Sequence, residues 1–236
     1  MRTTKRHVSW IFILTSSLLA FAALLSRAPI GAADNGKRED GQGKFAGWTA
    51  EWWQWVLELP VPGNPLFDET GENAYNSQPN PKAFYLVGVI NESGSATRHI
   101  TIPSGTPLFG PLINIENDNI FYDPPVSVPQ LRADAAALLE TALYELTIDG
   151  DSRNEFVSRI KSPTFDYILP VEDNIYQFFG VDVAGRIKPA VSDGYWFYIP
   201  SLAPGEHTIK IGGQIGADPE NPDFIVDITY HVYVTP

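Results

Sequence analysis

Residues 224–234, FIVDITYHVYV, constrain the fold more than any other segment, because apolar side chains alternate along it. Side chains at every second position of a strand share one face, and here that face carries Phe224, Val226, Ile228, Tyr230, Val232 and Val234. Other strand-like runs lie at 83–90, 98–102, 107–115, 164–169, 195–199 and 207–211. Turn-forming residues separate these runs, among 20 prolines and 19 glycines in the chain, so the sequence predicts a mainly β protein.

Two segments have the apolar period of a helix instead. The first includes GWTAEWWQWVLELP at 47–60, and Pro60 ends it. Its apolar side chains form one stripe that begins just before this run: Phe45, Trp48, Trp52, Trp55 and Leu59. A stripe of this kind is predicted to be buried. The second helix is predicted over 129–146. The predicted fold is an antiparallel β-sandwich, jelly-roll-like, with two packed α-helices in a single domain over 44–236.

Residues 1–33 have the layout of a secretory signal peptide. Basic residues precede an apolar run at 8–25, and the small residues Gly31 and Ala33 suit a signal peptidase. We expect cleavage after Ala33, then a flexible lead-in over 34–43, and a secreted or periplasmic protein. The alternative is an uncleaved anchor, since the apolar run is close to the length that spans a bilayer.

Composition argues against several classes of ligand and of catalytic chemistry. The formal net charge of −12 argues against a nucleic-acid ligand, because neutralising phosphates needs a basic face. Contact with a membrane is expected only through the N-terminal segment, if it stays uncleaved. The chain has no cysteine, which excludes disulfides and thiolate chemistry. Stability must therefore come from the core and from any bound ion.

Several segments together resemble a family of secreted bacterial proteins that has no assigned biochemical activity. They are EWWQWVLELP with NPLFDETG, TIPSGTPLFGPLINIENDN, SPTFDYILPVEDN, SDGYWFYIPSLAPGEHTIKIGG and FIVDITYHVYV. The resemblance spans nearly all of the chain after the signal segment and implies export and a single β-rich domain. It implies no catalytic residue, and the family's cysteines near Asn73–Ala74 and Ile100 are missing here.

Aromatic side chains outside the helical stripe are the candidate ligand contacts. Four aromatic residues are consecutive in YWFYI at 195–199, so alternate rings face opposite sides of a strand. A strand with only one buried face would expose two rings, and Trp53 lies off the stripe at the rim of its helix. The predicted ligand-binding residues are Trp53, Tyr195, Trp196 and Tyr198. The alternative is a strand that is covered on both faces.

The candidate cation site follows the apolar run at 107–115. Glu116, Asp118 and Asn119 come in close succession, with Asp123 shortly after. Oxygen-bearing side chains of this kind suit calcium, which binds several oxygen ligands. The alternative is a polar turn at the end of a strand, where Asn and Asp are favoured for their backbone geometry. Apart from calcium, no cofactor is expected.

No catalytic motif is present, because the sequence lacks G-x-S-x-G, H-E-x-x-H, a Walker loop and C-x-x-C. The leading hypothesis is therefore an exported binding protein whose ligand is a glycan or a cell-envelope polymer. The first alternative is a secreted hydrolase that uses a pair of carboxylates. The second alternative is a structural module of the envelope.

Overall fold

A computed structural model describes residues 39–218 and 220–236, with side chains described from residue 43. The predicted signal peptide at 1–33 and the alternative anchor at 8–25 lie outside these residues, so both stay predictions. Among the described residues, no helix has the length and apolarity that crossing a bilayer requires.

Strands dominate the described part of the chain. They are β1 Phe84–Tyr85, β2 Ser95–Pro103, β3 Leu108–Asn117, β4 Leu143–Ile148, β5 Asp151–Ser152, β6 Val157–Lys161, β7 Phe165–Leu169, β8 Gly185–Ile199, β9 Gly205–Ile215 and β10 Phe224–Thr235. The helices are α1 Glu39–Glu58, α2 Val128–Leu138 and α3 Ile175–Phe178, with 3-10 turns at Pro65–Phe67 and Asn154–Phe156. The prediction of a mainly β protein is confirmed.

The strands form two five-stranded sheets that pack face to face. The first sheet has the order β1-β3-β8-β6, and β7 also pairs with β8. The second sheet has the order β2-β10-β9-β4-β5. Apolar side chains of both sheets meet between them, and Leu112 and Phe197 of the first sheet join Ile211, Ile228 and Val232 of the second. The alternation in β10 thus has the predicted effect of filling a sandwich core.

Both sheets are mixed, which corrects the antiparallel prediction. β2 pairs parallel with β10, and β1 pairs parallel with β3, whereas the other pairs are antiparallel. Side-chain alternation determines which face of a strand is buried, but it carries no information about the direction of a neighbour. Parallel neighbours need a long connection, and β2 and β10 are separated by most of the domain.

α1 lies on the outer face of the first sheet, away from the second. Trp52 is 2% exposed and Trp55 is 6% exposed, while Phe45, Trp48 and Leu59 are partly buried in the same cluster. The helix begins at Glu39, earlier than the predicted start near residue 44, and ends at Glu58 before Pro60. The predicted stripe is therefore the contact surface of α1, and the first sheet is covered on both faces.

The second predicted helix is too long. α2 begins after the N-cap Ser127 and ends at Leu138, and the chain then turns and enters β4 at Leu143. Leu146, the last residue of the predicted helix, lies fully buried between the two sheets. Pairing of β4 with β9 supplies backbone hydrogen bonds that outweigh the helical propensity of these leucines.

The predicted strand at 83–90 forms regular structure only at β1. The following residues stay irregular because side chains satisfy their backbone. The carbonyl of Leu86 accepts a hydrogen bond from Trp52 Nε1 at 2.9 Å. The carbonyls of Val87 and Gly88 accept hydrogen bonds from the buried Arg98 guanidinium at 2.7 and 2.9 Å. A backbone satisfied in this way can be buried without a partner strand.

Candidate functional site

A partly open cavity of about 140 Å³ lies where α1, the irregular segment at 88–90, β3, α3 and β10 meet. Its wall is mainly apolar. Five aromatic side chains contribute to it, namely Trp52, Trp53, Tyr176, Phe179 and Phe224. Concave, mostly apolar sites with a few polar groups are the usual form of small-molecule sites in proteins.

Two polar side chains of β3, Asn114 and Glu116, also line the cavity. They are two residues apart, so they share one face of the strand, while Ile113 and Ile115 point to the α2 side. Opposite Asn114 on β8 is Gly194. A Cβ atom at Gly194 would lie 2.6 Å from the Cβ and 2.8 Å from the Cα of Asn114, so the close approach of β8 to β3 at this pair requires glycine.

Both of these polar groups have a buried atom without a hydrogen-bond partner. Asn114 Nδ2 and Glu116 Oε1 are sealed from solvent, and neither makes a hydrogen bond with another described residue. A third such atom, Trp196 Nε1, lies in the layer under α1. Buried polar atoms in native proteins nearly always have a partner, and those that do not are often functional.

Burial makes Glu116 a weak acid. The pKa of its carboxyl group is raised well above the usual value of 4.5, first by burial and then by the charge of Asp118. Burial also raises the pKa of Asp118. However, Asp118 accepts hydrogen bonds from the Tyr167 and Tyr176 hydroxyls and from the Ile120 N–H, which stabilise its ionised form. We therefore expect Glu116 to be the member of the pair that carries a proton at neutral pH.

Only one of the predicted ligand-binding aromatics lines the cavity. Trp53 is half-buried there, and its Nε1 donates a hydrogen bond to Ser192 Oγ at 3.0 Å. Trp196 is 1% exposed, with its ring centroid 5.5 Å from that of Trp52. The expectation that Trp196 faces solvent is wrong, because α1 covers the outer face of β8.

The other two predicted rings also pack against neighbours. Tyr195 stacks on Tyr144 with ring centroids 4.3 Å apart. Tyr198 is half-buried against Phe45 at 4.7 Å. The alternative of a strand covered on both faces therefore describes β8, and its consecutive aromatics form no open platform.

The predicted cation ligands are only partly brought together. Glu116 and Asp118 interact, but the oxygens of Asp118 already accept hydrogen bonds. The amide of Asn119 bonds to both the N–H and the carbonyl of Val126, and Asp123 is exposed. Across 39–218 and 220–236, no group of three or more His, Cys, Asp or Glu side chains is arranged to hold a metal ion. The alternative of a polar turn describes Asn119, and calcium binding stays a prediction.

The sequence patterns missed the cavity itself. The segment at 88–90 looked like a strand, and Asn114 was not selected although it precedes Glu116 on the same face. A signal was present in LINIEN at 112–117, where polar residues alternate with isoleucines inside an apolar run. Polar side chains on a face that a helix covers are unusual. Recognising them required knowing that the tryptophan stripe packs on that face.

No protein-family model and no curated protein matches the sequence. Among solved structures, the chain is similar to a cysteine protease inhibitor from Entamoeba histolytica, with 12% identity and a TM-score of 0.24, over 64% of this chain and 96% of the inhibitor. It is also similar to a family 123 glycoside hydrolase from Clostridium perfringens, with 11% identity and a TM-score of 0.22. That match covers 58% of this chain and 23% of the hydrolase. Both TM-scores are too low to support a conclusion about fold or function.

Proposed function

We propose that the protein is an exported binding protein and that its ligand is a small, mainly apolar molecule held in the cavity under α1. Export rests on the N-terminal pattern and on the resemblance to secreted proteins. Binding rests on one observation, which is a partly open cavity of about 140 Å³ with a mainly apolar wall that includes five aromatic side chains.

This proposal changes the ligand class that the sequence suggested. A glycan was expected because two alternate rings of the four at 195–198 were predicted to face solvent, and all four rings pack against neighbours. A sugar carries hydroxyl groups around its ring and needs many hydrogen-bonding partners. The cavity wall is largely apolar, so a ring or short chain with few polar atoms fits its chemistry better.

The hydrolase alternative finds less support in the same cavity. Glycoside hydrolysis needs two carboxyl groups that both reach the substrate. Glu116 is the one acidic side chain that lines this cavity, and Asp118 behind it is engaged by hydroxyl and amide donors. We therefore propose binding without turnover.

Filling the cavity tests the proposal. A Cβ atom added to Gly88 would lie 3.8 Å from both methyl groups of Val226, which is ordinary contact, so the Gly88→Leu side chain would occupy the cavity. We expect toluene to raise the melting temperature of the parent protein, because a ligand bound only by the native state stabilises it. Gly88→Leu should lose this response.

The matched control is Gly47→Leu, which adds the same atoms at an exposed position of α1 with nothing within 4 Å of the new Cβ. It should respond to toluene as the parent does. If the parent shows no response, or if Gly88→Leu responds as strongly as the parent, the cavity is not a binding site.

A further inference from the structure

Two histidines stand side by side on the outer face of the second sheet. His99 of β2 and His231 of β10 are partners in the parallel ladder, so their side chains leave the sheet on the same face. Their ring centroids are 4.8 Å apart and their ring planes are inclined by 21°. Neighbouring strands are also about 4.8 Å apart, so the rings stand upright beside each other. Both residues are exposed, so a ligand from solvent reaches the two rings together.

The ring nitrogens of this pair are available to a ligand. Among the described residues, the His99 ring makes no hydrogen bond, and the His231 ring makes one long contact, from Nδ1 to Thr208 Oγ1 at 3.5 Å. His207 differs in this respect. Its Nδ1 lies 2.7 Å from Asp149 Oδ2, and its Nε2 lies 2.9 Å from a backbone carbonyl oxygen. The pair therefore offers imidazole nitrogens to a ligand, whereas His207 has both of its nitrogens engaged.

The backbone on both sides of β2 holds the pair in place. β2 is paired with β10 along its whole length, and on its other side the His99 N–H donates to the Thr70 carbonyl at 2.9 Å. A Cβ atom at Gly71 would lie 2.7 Å from the His99 carbonyl oxygen, so this neighbouring segment packs tightly against the strand. Sites built on strands are held more precisely than sites on loops. The backbone positions of both histidines are therefore fixed.

One metal ion fits between the outer nitrogens of the two rings. A bond from zinc to an imidazole nitrogen is about 2.0–2.1 Å long, so an ion of this size joins nitrogens up to about 4 Å apart. The two rings need only incline slightly towards each other at their outer edges. Exposed side chains rotate within picoseconds to nanoseconds, so this movement requires no change in the strands.

The neighbouring side chains determine which ion suits the pair. The next residues on this face are neither carboxylates nor thiols, namely Thr97, Thr101, Thr229 and Tyr233. Calcium takes about six to eight oxygen ligands, and protein zinc sites use about three or four protein ligands. Copper(II) prefers a tetragonal set of nitrogen and oxygen ligands and binds such ligands most tightly among the divalent first-row metals. Two imidazoles and water molecules supply this set.

We propose that His99 and His231 form a copper(II) site on the outer face of the second sheet, with water molecules as the remaining ligands. The site is separate from the cavity under α1, whose wall includes neither histidine. It also differs from the predicted calcium site, which consists of oxygen atoms. The two histidines are far apart along the chain, so only the folded protein brings them together.

Calorimetric titration of the full chain with copper(II) sulfate at about pH 7.5 tests this site, since neutral imidazole is the form that binds metals. The parent should bind one ion more than the double variant His99→Ala/His231→Ala. Electron paramagnetic resonance of that ion should show two nitrogen ligands. His99→Ala and His231→Ala should each weaken its binding at least about tenfold, because the second attachment is lost. Adding the second substitution to either variant should weaken copper binding much less than the first.

Two histidine variants and two other metals serve as controls. His207→Ala removes an imidazole whose nitrogens are both engaged, and His7→Ala removes the histidine that lies outside the described residues. Both variants should bind copper as the parent does. Nickel and zinc should bind the pair more weakly than copper. Melting temperatures without metal should be nearly equal for the parent and the variants of the exposed pair.

Several results would overturn the copper site. One is equal copper binding by the parent and the double variant. Another is an effect of only one of the two single substitutions, since the ion would then use one histidine together with other groups. Loss of the ion in His207→Ala at an unchanged melting temperature would place it elsewhere. None of these results bears on the cavity, which toluene and Gly88→Leu test separately.

Discussion

Glu116 shows at the scale of one residue what it costs to bury an acid. Its carboxyl group is buried beside a second acid and has an oxygen without a partner. Such an arrangement lowers stability, because a buried polar atom loses its hydrogen bonds to water. The sequence selected Glu116 as a calcium ligand, which stays a prediction. Spacing identified an oxygen-rich segment, but the burial of Glu116 and its position beside an apolar cavity depend on the packing of α1 and other distant segments.

The raised pKa of Glu116 predicts a pH dependence of stability. The folded chain keeps the Glu116 proton above pH 4.5, while the unfolded chain loses it. The free energy of unfolding should therefore fall as the pH rises above about 4.5, by at most about 1.4 kcal/mol per pH unit from this group. Glu116→Gln removes this contribution, so its stability relative to the parent should increase with pH. Urea unfolding from pH 4.5 to 8 measures the difference.

The control for that experiment is Glu72→Gln, because Glu72 is exposed. Its stability should follow the parent at every pH. A constant difference between Glu116→Gln and the parent over this range would mean that Glu116 has an ordinary pKa.

Arg98 is the residue that supports the cavity wall from behind. It is 1% exposed, and its guanidinium group donates to the carbonyls of Pro65, Asp68, Val87 and Gly88 and to the Tyr230 hydroxyl. Arg98→Met removes these donors from the Asp68 and Gly88 carbonyls, while the Val87 carbonyl still accepts from the Tyr230 hydroxyl and the Pro65 carbonyl from the Asp68 N–H. The loss should lower the free energy of unfolding by about 3–5 kcal/mol. Denaturant unfolding with Arg132→Met as the control checks this. Arg132 makes one long surface contact, at 3.4 Å, and its removal should cost less than about 0.5 kcal/mol.

At the scale of elements, α1 covers the outer face of the first sheet, so this sheet is buried on both faces. Its tryptophans pack on β8 and β3, and Trp52 also donates to the Leu86 carbonyl, so the helix fixes the irregular segment beside the cavity. Trp52→Ala should cost about 3–5 kcal/mol, as large aromatic truncations in cores do. The comparison is Tyr233→Ala, an aromatic residue that is 47% exposed on β10, which should cost less than about 1 kcal/mol. Equal denaturant midpoints for the two variants would show that α1 is not part of the core.

Elements with a long, regular pattern were predictable, and those determined by distant partners were not. β10 and α1 carry many repeats of one period, which local sequence specifies. β4 begins at Leu143 within a run of leucines and alanines that also fits a helix, and only its pairing with β9 decides between them. The segment after β1 is apolar like a strand, but the Arg98 side chain replaces the neighbouring strand.

For the whole molecule, the remaining sequence-based prediction is export. We expect protein recovered outside the cytoplasm to begin at Asp34, because a signal peptidase requires small residues such as Gly31 and Ala33 before the cleavage site. Intact-mass measurement would show this. Ala33→Leu should block cleavage and leave residues 1–33 attached, whereas Ala46→Leu, at a partly buried position of α1, should not affect processing. A retained Met1 in the parent protein would favour the uncleaved anchor instead.

The parallel ladder between β2 and β10 has a consequence for the speed of folding. It joins Ser95 to Asp227 and continues to Pro103 and Thr235, so the β2 edge of the second sheet depends on residues that are far apart along the chain. Contacts of this kind are entropically slow to form, and domains dominated by them fold in milliseconds to seconds rather than microseconds. If the chain is exported, as its N-terminal pattern predicts, slow closure of the second sheet would give a translocation machinery time to engage the unfolded chain.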